Sequence, residues 1–226
     1  QKQLSTISQL AEPSTAEETE KIRGMIFYLT SQQKFVLVEE AGSSLSQLSS
    51  KQFTTFQDIT ETLIGADEKI DLLEWSLRKV IDHDFGRQHS TRGPLHGRAS
   101  IRSRLEECSI ILGALAHYGQ DGADPKPAFE KGFLSLDRKG VAKLPTREEC
   151  GFRGLDEALA RLAKLSPMAK RTLLEACAQT IDHDGKTSDI EIQILRGLAA
   201  SISCPLGPSV MPDSSAISTV TQKNPS

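Results

Sequence analysis

The sequence predicts an all-α fold, a helical bundle of about eight or nine helices, and three observations predict it. Apolar residues recur three or four apart, as in Leu155, Leu159, Leu162 and Leu165, which gives one apolar face per helix. Helix starts carry residues whose side chains satisfy orphan backbone N–H groups. Strand patterning is weak: only residues 34–40 (KFVLVEE) are β-flavoured, and that run is short and ambiguous.

Taken in order, residues 1–13 are too polar to bury a face and are expected to form a flexible segment. Ser14-Thr15-Ala16-Glu17 has the pattern of a capping box and predicts a helix start. An apolar helix over residues 56–64 leads into the acid-rich ADEKIDLLEWSLRKV (66–80), read as a turn followed by a helix. Residues 86–100 form a basic loop, punctuated by glycines and a proline. Residues 101–118 (IRSRLEECSIILGALAHY) read as a more buried helix, polar at its start. Phe129, Phe133, Leu134 and Leu136 mark another. Thr146-Arg147-Glu148-Glu149 is a second capping box, and Ser166-Pro167 sets a cap residue before a proline at the first helical position. The Ser/Pro/Thr-rich tail, 209–226, is expected to be disordered. The chain is therefore read as one domain over residues 14–208, with a first half at 14–85, the basic loop at 86–100 and a second half at 101–208.

Composition narrows the function. With 226 residues, 38% hydrophobic and 25% charged, the chain is a soluble globular type; a net charge of -3 excludes a general polyanion binder. No apolar run approaches the roughly 18 residues of a membrane span, and no basic-then-apolar leader opens the chain. Gln1 stands where an initiating Met would, so a piece of something longer is expected. The four cysteines, Cys108, Cys150, Cys177 and Cys204, form no CxxC pair and read as small hydrophobes in a reducing compartment.

IDHD occurs at 81–84 and again at 181–184, but in different contexts. The first copy ends a helix; the second is followed by a tight turn and a new helix. A better register sets Asp67 on Asp184, Lys69 on Lys186 and Glu74 on Glu191, and each stretch follows an apolar helix. The repeated unit is helix, acidic turn, helix. Asp184-Gly185 supplies the turn, Ser188 caps the next helix and Glu191 completes its box; Asp71 and Glu74 do the same in the first copy. Acids at a helix start also suit its dipole, so the repeat is explained without a ligand. The functional alternative is a hard cation, Ca²⁺ or Mg²⁺, held by Asp182, Asp184, Asp189 and Glu191, and by Asp67, Asp71 and Glu74 in the first copy. The spacing is not that of an EF-hand, and zinc lacks a thiol beside His83 or His183.

The stretch GRQHSTRGPLHGRASIRSR (86–104) holds Arg87, Arg92, Arg98, Arg102 and Arg104 and no acid. It reads first as a solvated connector and second as an anion-binding patch for lipid head groups or an acidic partner. No aromatic is interleaved, so nucleic acid is not an expected partner.

Two helix–acidic turn–helix units in one all-α domain resemble the TerB-like (tellurite-resistance B) domain. The closing segment 165–208, with ADEKIDLLEWSLRKVI (66–81) and CSIILGALAHYGQDG (108–122), is similar to the C-terminal region of multi-pass HtpX-like bacterial zinc metallopeptidases. The resemblance covers most of residues 45–208. It implies a domain following membrane and protease portions, on the cytoplasmic side of the bacterial inner membrane, with zinc in the parent protease only. The positions that match the TerB pattern are Asp67, Asp71 and Glu74, then Asp184, Asp189 and Glu191; Glu68 departs from it, standing where the pattern usually has Gly. No HExxH occurs in the chain, so no protease active site is expected in it. The expected function is a non-catalytic accessory, regulatory or interaction domain, partnering its parent protease or another protein. The alternatives are a purely structural bundle and, less favoured, a stand-alone metal-dependent hydrolase, for which nucleophile, base and anion-stabilising groups do not converge.

Overall fold

The computed structural model describes residues 2–11, 13–65, 72–84, 86, 97–118, 124–141, 143–185, 187 and 189–206. Among the described residues there are ten α-helices and no strand, one isolated bridge between Ala99 and Leu165 apart. The first five are α1 (Lys2–Leu10), α2 (Pro13–Ile26), α3 (Ser31–Leu45), α4 (Ser50–Gly65) and α5 (Leu72–Asp84). After a 3-10 turn at Ile101–Arg104 come α6 (Leu105–Tyr118), α7 (Pro125–Leu136), α8 (Phe152–Leu162), α9 (Pro167–Ile181) and α10 (Asp189–Ser201).

The core lies between α6, α7, α8 and α9. Leu112 and Cys108 of α6, Phe129 of α7, Leu162 of α8 and Ala176 of α9 are each 0% exposed. The apolar spacing seen in the sequence does this: Leu155, Leu159 and Leu162 fall on the buried face of α8, with Leu165 just beyond it. Full burial of such a side chain contributes about 1.5–3 kcal/mol. The two halves meet where α5 packs along α10, and close approach there requires glycine. A Cβ on Gly197 would lie 2.5 Å from the Cβ of Ser76, and Ser76 itself is 0% exposed.

The two halves share several helix bounds. The register that sets Leu72–Asp84 on Asp189–Ser201 also sets Ser50, the start of α4, on Pro167, the start of α9. It further sets Leu45 on Leu162, the ends of α3 and α8. Sequence follows in that third pair: Phe35, Val38, Glu40 and Ala41 match Phe152, Leu155, Glu157 and Ala158. Packing follows too. α1 packs on α2 and α4 as α6 packs on α7 and α9.

Three expectations are corrected, and the ambiguous run 34–40 proves helical. Residues 1–13 were expected to be flexible, but α1 forms there and buries Ile7 at 7% exposure, because α1 packs on α2 and α4. Ser14 is no cap: α2 already starts at Pro13, which suits a first helical position. The β-flavoured 34–40 lies inside α3. Its start carries an unnoticed T-x-x-Q box, Thr30 Oγ1 accepting from Gln33 N at 3.2 Å and Gln33 Oε1 accepting from Thr30 N at 2.9 Å. The Thr146–Glu149 box forms reciprocally, Thr146 N donating to Glu149 Oε2 at 2.7 Å and Glu149 N to Thr146 Oγ1 at 3.3 Å. It closes a turn, however, and α8 begins later, after Gly151. The cap at Ser166 stands as expected: its Oγ accepts from Ala169 N at 3.3 Å.

Candidate functional site

The second acidic turn grows out of the end of α9. Asp182–Asp184 form a 3-10 turn, and Gly185 follows at φ 75, the left-handed conformation glycine adopts without strain. Gly185 N donates to Asp182 O at 3.3 Å. Lys131 of α7 reaches the same place: its Nζ donates to Asp182 O at 2.6 Å and lies 3.8 Å from the Asp182 carboxylate. An ammonium thus already serves the oxygens of this turn. Asp184 is exposed, whereas Glu191 on α10 is buried at 6% exposure. Thr187 Oγ1, between them in sequence, is buried with no hydrogen-bond partner. The Asp189 side chain lies outside the described residues.

In the first copy only Glu74 is described, and it is exposed; Asp67 and Asp71 lie outside the described residues. Glu74 and Glu191 both stand third in their helices, since α5 starts at Leu72 and α10 at Asp189. That is the position a capping box requires, with Asp71 and Ser188 at the preceding cap position. Ser188 too lies outside the described residues. Among the described residues, no group of three or more His, Cys, Asp or Glu side chains converges as a metal site.

The two IDHD stretches separate as their contexts indicate. Ile81–Asp84 stays helical to the end of α5, and Asp82 Oδ1 accepts from Gln57 Nε2 at 2.8 Å, tying α5 to α4. Asp182 instead leaves the helix.

The basic segment divides. Arg87 and Arg92 lie outside the described residues; Arg98 and Arg102 are exposed. Arg104 is held by Glu107, Nη1 to Oε1 at 3.5 Å, and Arg161 of α8 reaches the same carboxylate oxygen at 3.4 Å. Glu107, 8% exposed, is therefore shared between two guanidinium groups. Ala99 N donates to Lys164 O at 3.1 Å and Ser166 N to Ala99 O at 3.0 Å, pinning this segment to the α8–α9 connection. Among the described residues, the exposed cations of the patch are Arg98, Arg102 and the neighbouring Lys164.

Sequence reasoning missed a junction between the halves. Asp156 of α8 accepts from Trp75 Nε1 at 3.0 Å, and Lys79 Nζ sits 2.7 Å from the same oxygen. Lys79 also lies over the Trp75 ring, 5.6 Å from its centroid. The partners are 81 residues apart, and no local pattern links them.

The cysteines behave as hydrophobes. Burial, with the Glu107 charge adding, pushes the Cys108 thiol up to about 12. Burial likewise pushes Cys150 up to about 12, with Glu149 contributing, and raises Cys177 further, with Cys108 contributing. Thiols so raised are poor nucleophiles at neutral pH. His117 Nε2 is engaged 2.9 Å from Pro145 O. No helix among the described residues is long and apolar enough to cross a membrane. Comparisons of the chain with models of protein families, with curated proteins and with solved structures find no match.

Proposed function

We propose that this chain is a non-catalytic interaction or regulatory domain of the TerB-like kind. In this proposal it is the cytosolic C-terminal part of a membrane-bound zinc metallopeptidase at the bacterial inner membrane. Its partner is the protease portion or another protein, and its acidic turns bind a divalent cation, Ca²⁺ or Mg²⁺. The observation that carries the proposal is the repeat. One register sets α5 on α10 at both ends and α4 on α9 at their starts, with Glu74 and Glu191 at the same helical position. The exposed Arg98 and Arg102 give the domain a basic edge suited to an anionic membrane surface.

A ligand that binds only the native state raises its melting temperature. Millimolar Ca²⁺ or Mg²⁺ is expected to raise the Tm, and Asp184→Asn is expected to reduce that rise. An unchanged Tm in both ions removes the cation from the proposal. The wider proposal is tested by sequencing upstream of Gln1: apolar spans and an HExxH helix are expected, and their absence overturns it. A second reading, a structural bundle without ligand, draws on Lys131, whose ammonium already meets the oxygens of Asp182.

A further inference from the structure

α2 and α7 occupy the same place in their halves, yet they are packed differently. Both are second in a five-helix series, both start on a proline, and both pack on the first helix of the series. Each is followed by a threonine capping box, Thr30–Gln33 after α2 and Thr146–Glu149 after α7. Each also carries a basic–Gly–apolar–apolar run, Arg23-Gly24-Met25-Ile26 in α2 and Lys131-Gly132-Phe133-Leu134 in α7, set further from the opening proline in α2 than in α7.

In α7 that pattern is a contact. A Cβ on Gly132 would collide with Thr180 Oγ1 and lie 2.9 Å from Ala176 O, so the glycine is what lets α7 lie directly on α9. Phe133 beside it is 6% exposed. In α2 the same pattern meets solvent. A Cβ on Gly24 would have nothing within 4 Å, and Met25 is 72% exposed. A glycine inside a helix is unfavourable unless a close approach requires it, and Gly24 has none in this packing. Ile22 at 49% and Phe27 at 75% exposed add apolar surface on the same end of the helix. The register that sets Ser50 on Pro167 places Ile59 and Leu63 of α4 where α9 has Ala176 and Thr180. Both are half-buried.

We propose that α2 is a strap that closes onto α4, seating Gly24 against Ile59 and Leu63 as Gly132 seats against Ala176 and Thr180. The movement is a roll of α2 about α1, its existing neighbour. It buries Met25 and converts the first half to the packing of the second. The driving force is the apolar surface removed from water. The proposal does not depend on cation binding.

Two measurements on the full chain test it. In a Cys204→Ser background, Gly24→Cys with Leu63→Cys is expected to form an intramolecular disulfide under mild oxidation, read as faster migration on a non-reducing gel. Hydrogen exchange of the α2 amides in a Gly24→Leu variant tests it without new cysteines. Leucine in the described packing strengthens the helix and slows exchange. In the closed packing it blocks the seat, and α2 exchange is expected to rise about tenfold while α9 exchange stays unchanged. Absence of the disulfide together with slower exchange in Gly24→Leu overturns the proposal.

Discussion

The halves of this protein share an order of helices and differ in how well those helices bury themselves. In α6–α10, Phe129, Leu155, Leu162, Leu174 and Leu195 are each at most 1% exposed. Among the described residues of α1–α5 the large side chains buried to 2% or less are Phe53 at 2% and Trp75 at 1%, which turns toward α8 of the other half. α2 has no buried residue among those described. The same order of helices therefore yields a cooperative core in one half and a loosely assembled layer in the other. The difference lies in side chains. α6 reads CSIILGALA where α1 reads LSTISQLA, and only the first is apolar enough to hold helices on several sides.

The sharpest way to break the comparison is to empty the core of the second half. Phe129→Ala is expected to cost about 3–5 kcal/mol, measured by urea denaturation, whereas Val36→Ala, at an exposed position of the first half, should stay within about 0.5 kcal/mol. Equal costs would mean the halves are equally packed. Next is the junction. Asp156→Ala leaves the Trp75 indole N–H and the Lys79 ammonium without their shared acceptor, and a loss of about 1–3 kcal/mol is expected. Trp75 is the chain's one tryptophan, so a shift of its fluorescence reports the junction directly. An unshifted spectrum would place the coupling of the halves elsewhere, in α5 against α10.

Glu191→Ala is expected to cost about 0.5–2 kcal/mol through lost capping, read by thermal melting without metal. An unchanged Tm would refute the box at α10. The smallest effect belongs to Glu149. The Thr146 backbone N–H and then its hydroxyl, both donating to the carboxylate, hold this carboxyl below its ordinary range. A group lowered in the folded state adds stability above the unfolded glutamate value, about 4.3, and loses it as pH falls through the lowered value. Glu149→Gln should therefore melt slightly below wild type at pH 7, and the gap should close on acidification. A gap independent of pH would show that the charge contributes nothing.

Much of the local structure was legible in residue order. The caps at Ser166 and the glycine turn at Gly185 follow from side-chain and backbone chemistry within a few positions, and both stand where expected. So does the apolar face of α8. The register of the acidic turns, set from Asp67 and Asp184, turned out to match both bounds of α5 and α10, the starts of α4 and α9 and the ends of α3 and α8. α1 was not legible in residue order, and α3 was legible only ambiguously, for opposite reasons. α1 is polar and is held by α2 and α4, contacts no local pattern encodes; α3 has a β-flavoured run, and the capping box at Thr30 outweighs it.

The sequence by itself determined the all-α class, the cap at Ser166 and the turn at Gly185, because capping, glycine turns and apolar periodicity act over a few residues. Only the tertiary structure decided which charges meet. It brought Lys131 to Asp182, Asp156 to Trp75 and Lys79, and two arginines to Glu107. It also decided that Gly132 is pinned and Gly24 is not. Those outcomes depend on how whole helices pack, and packing depends on side chains far apart in the chain.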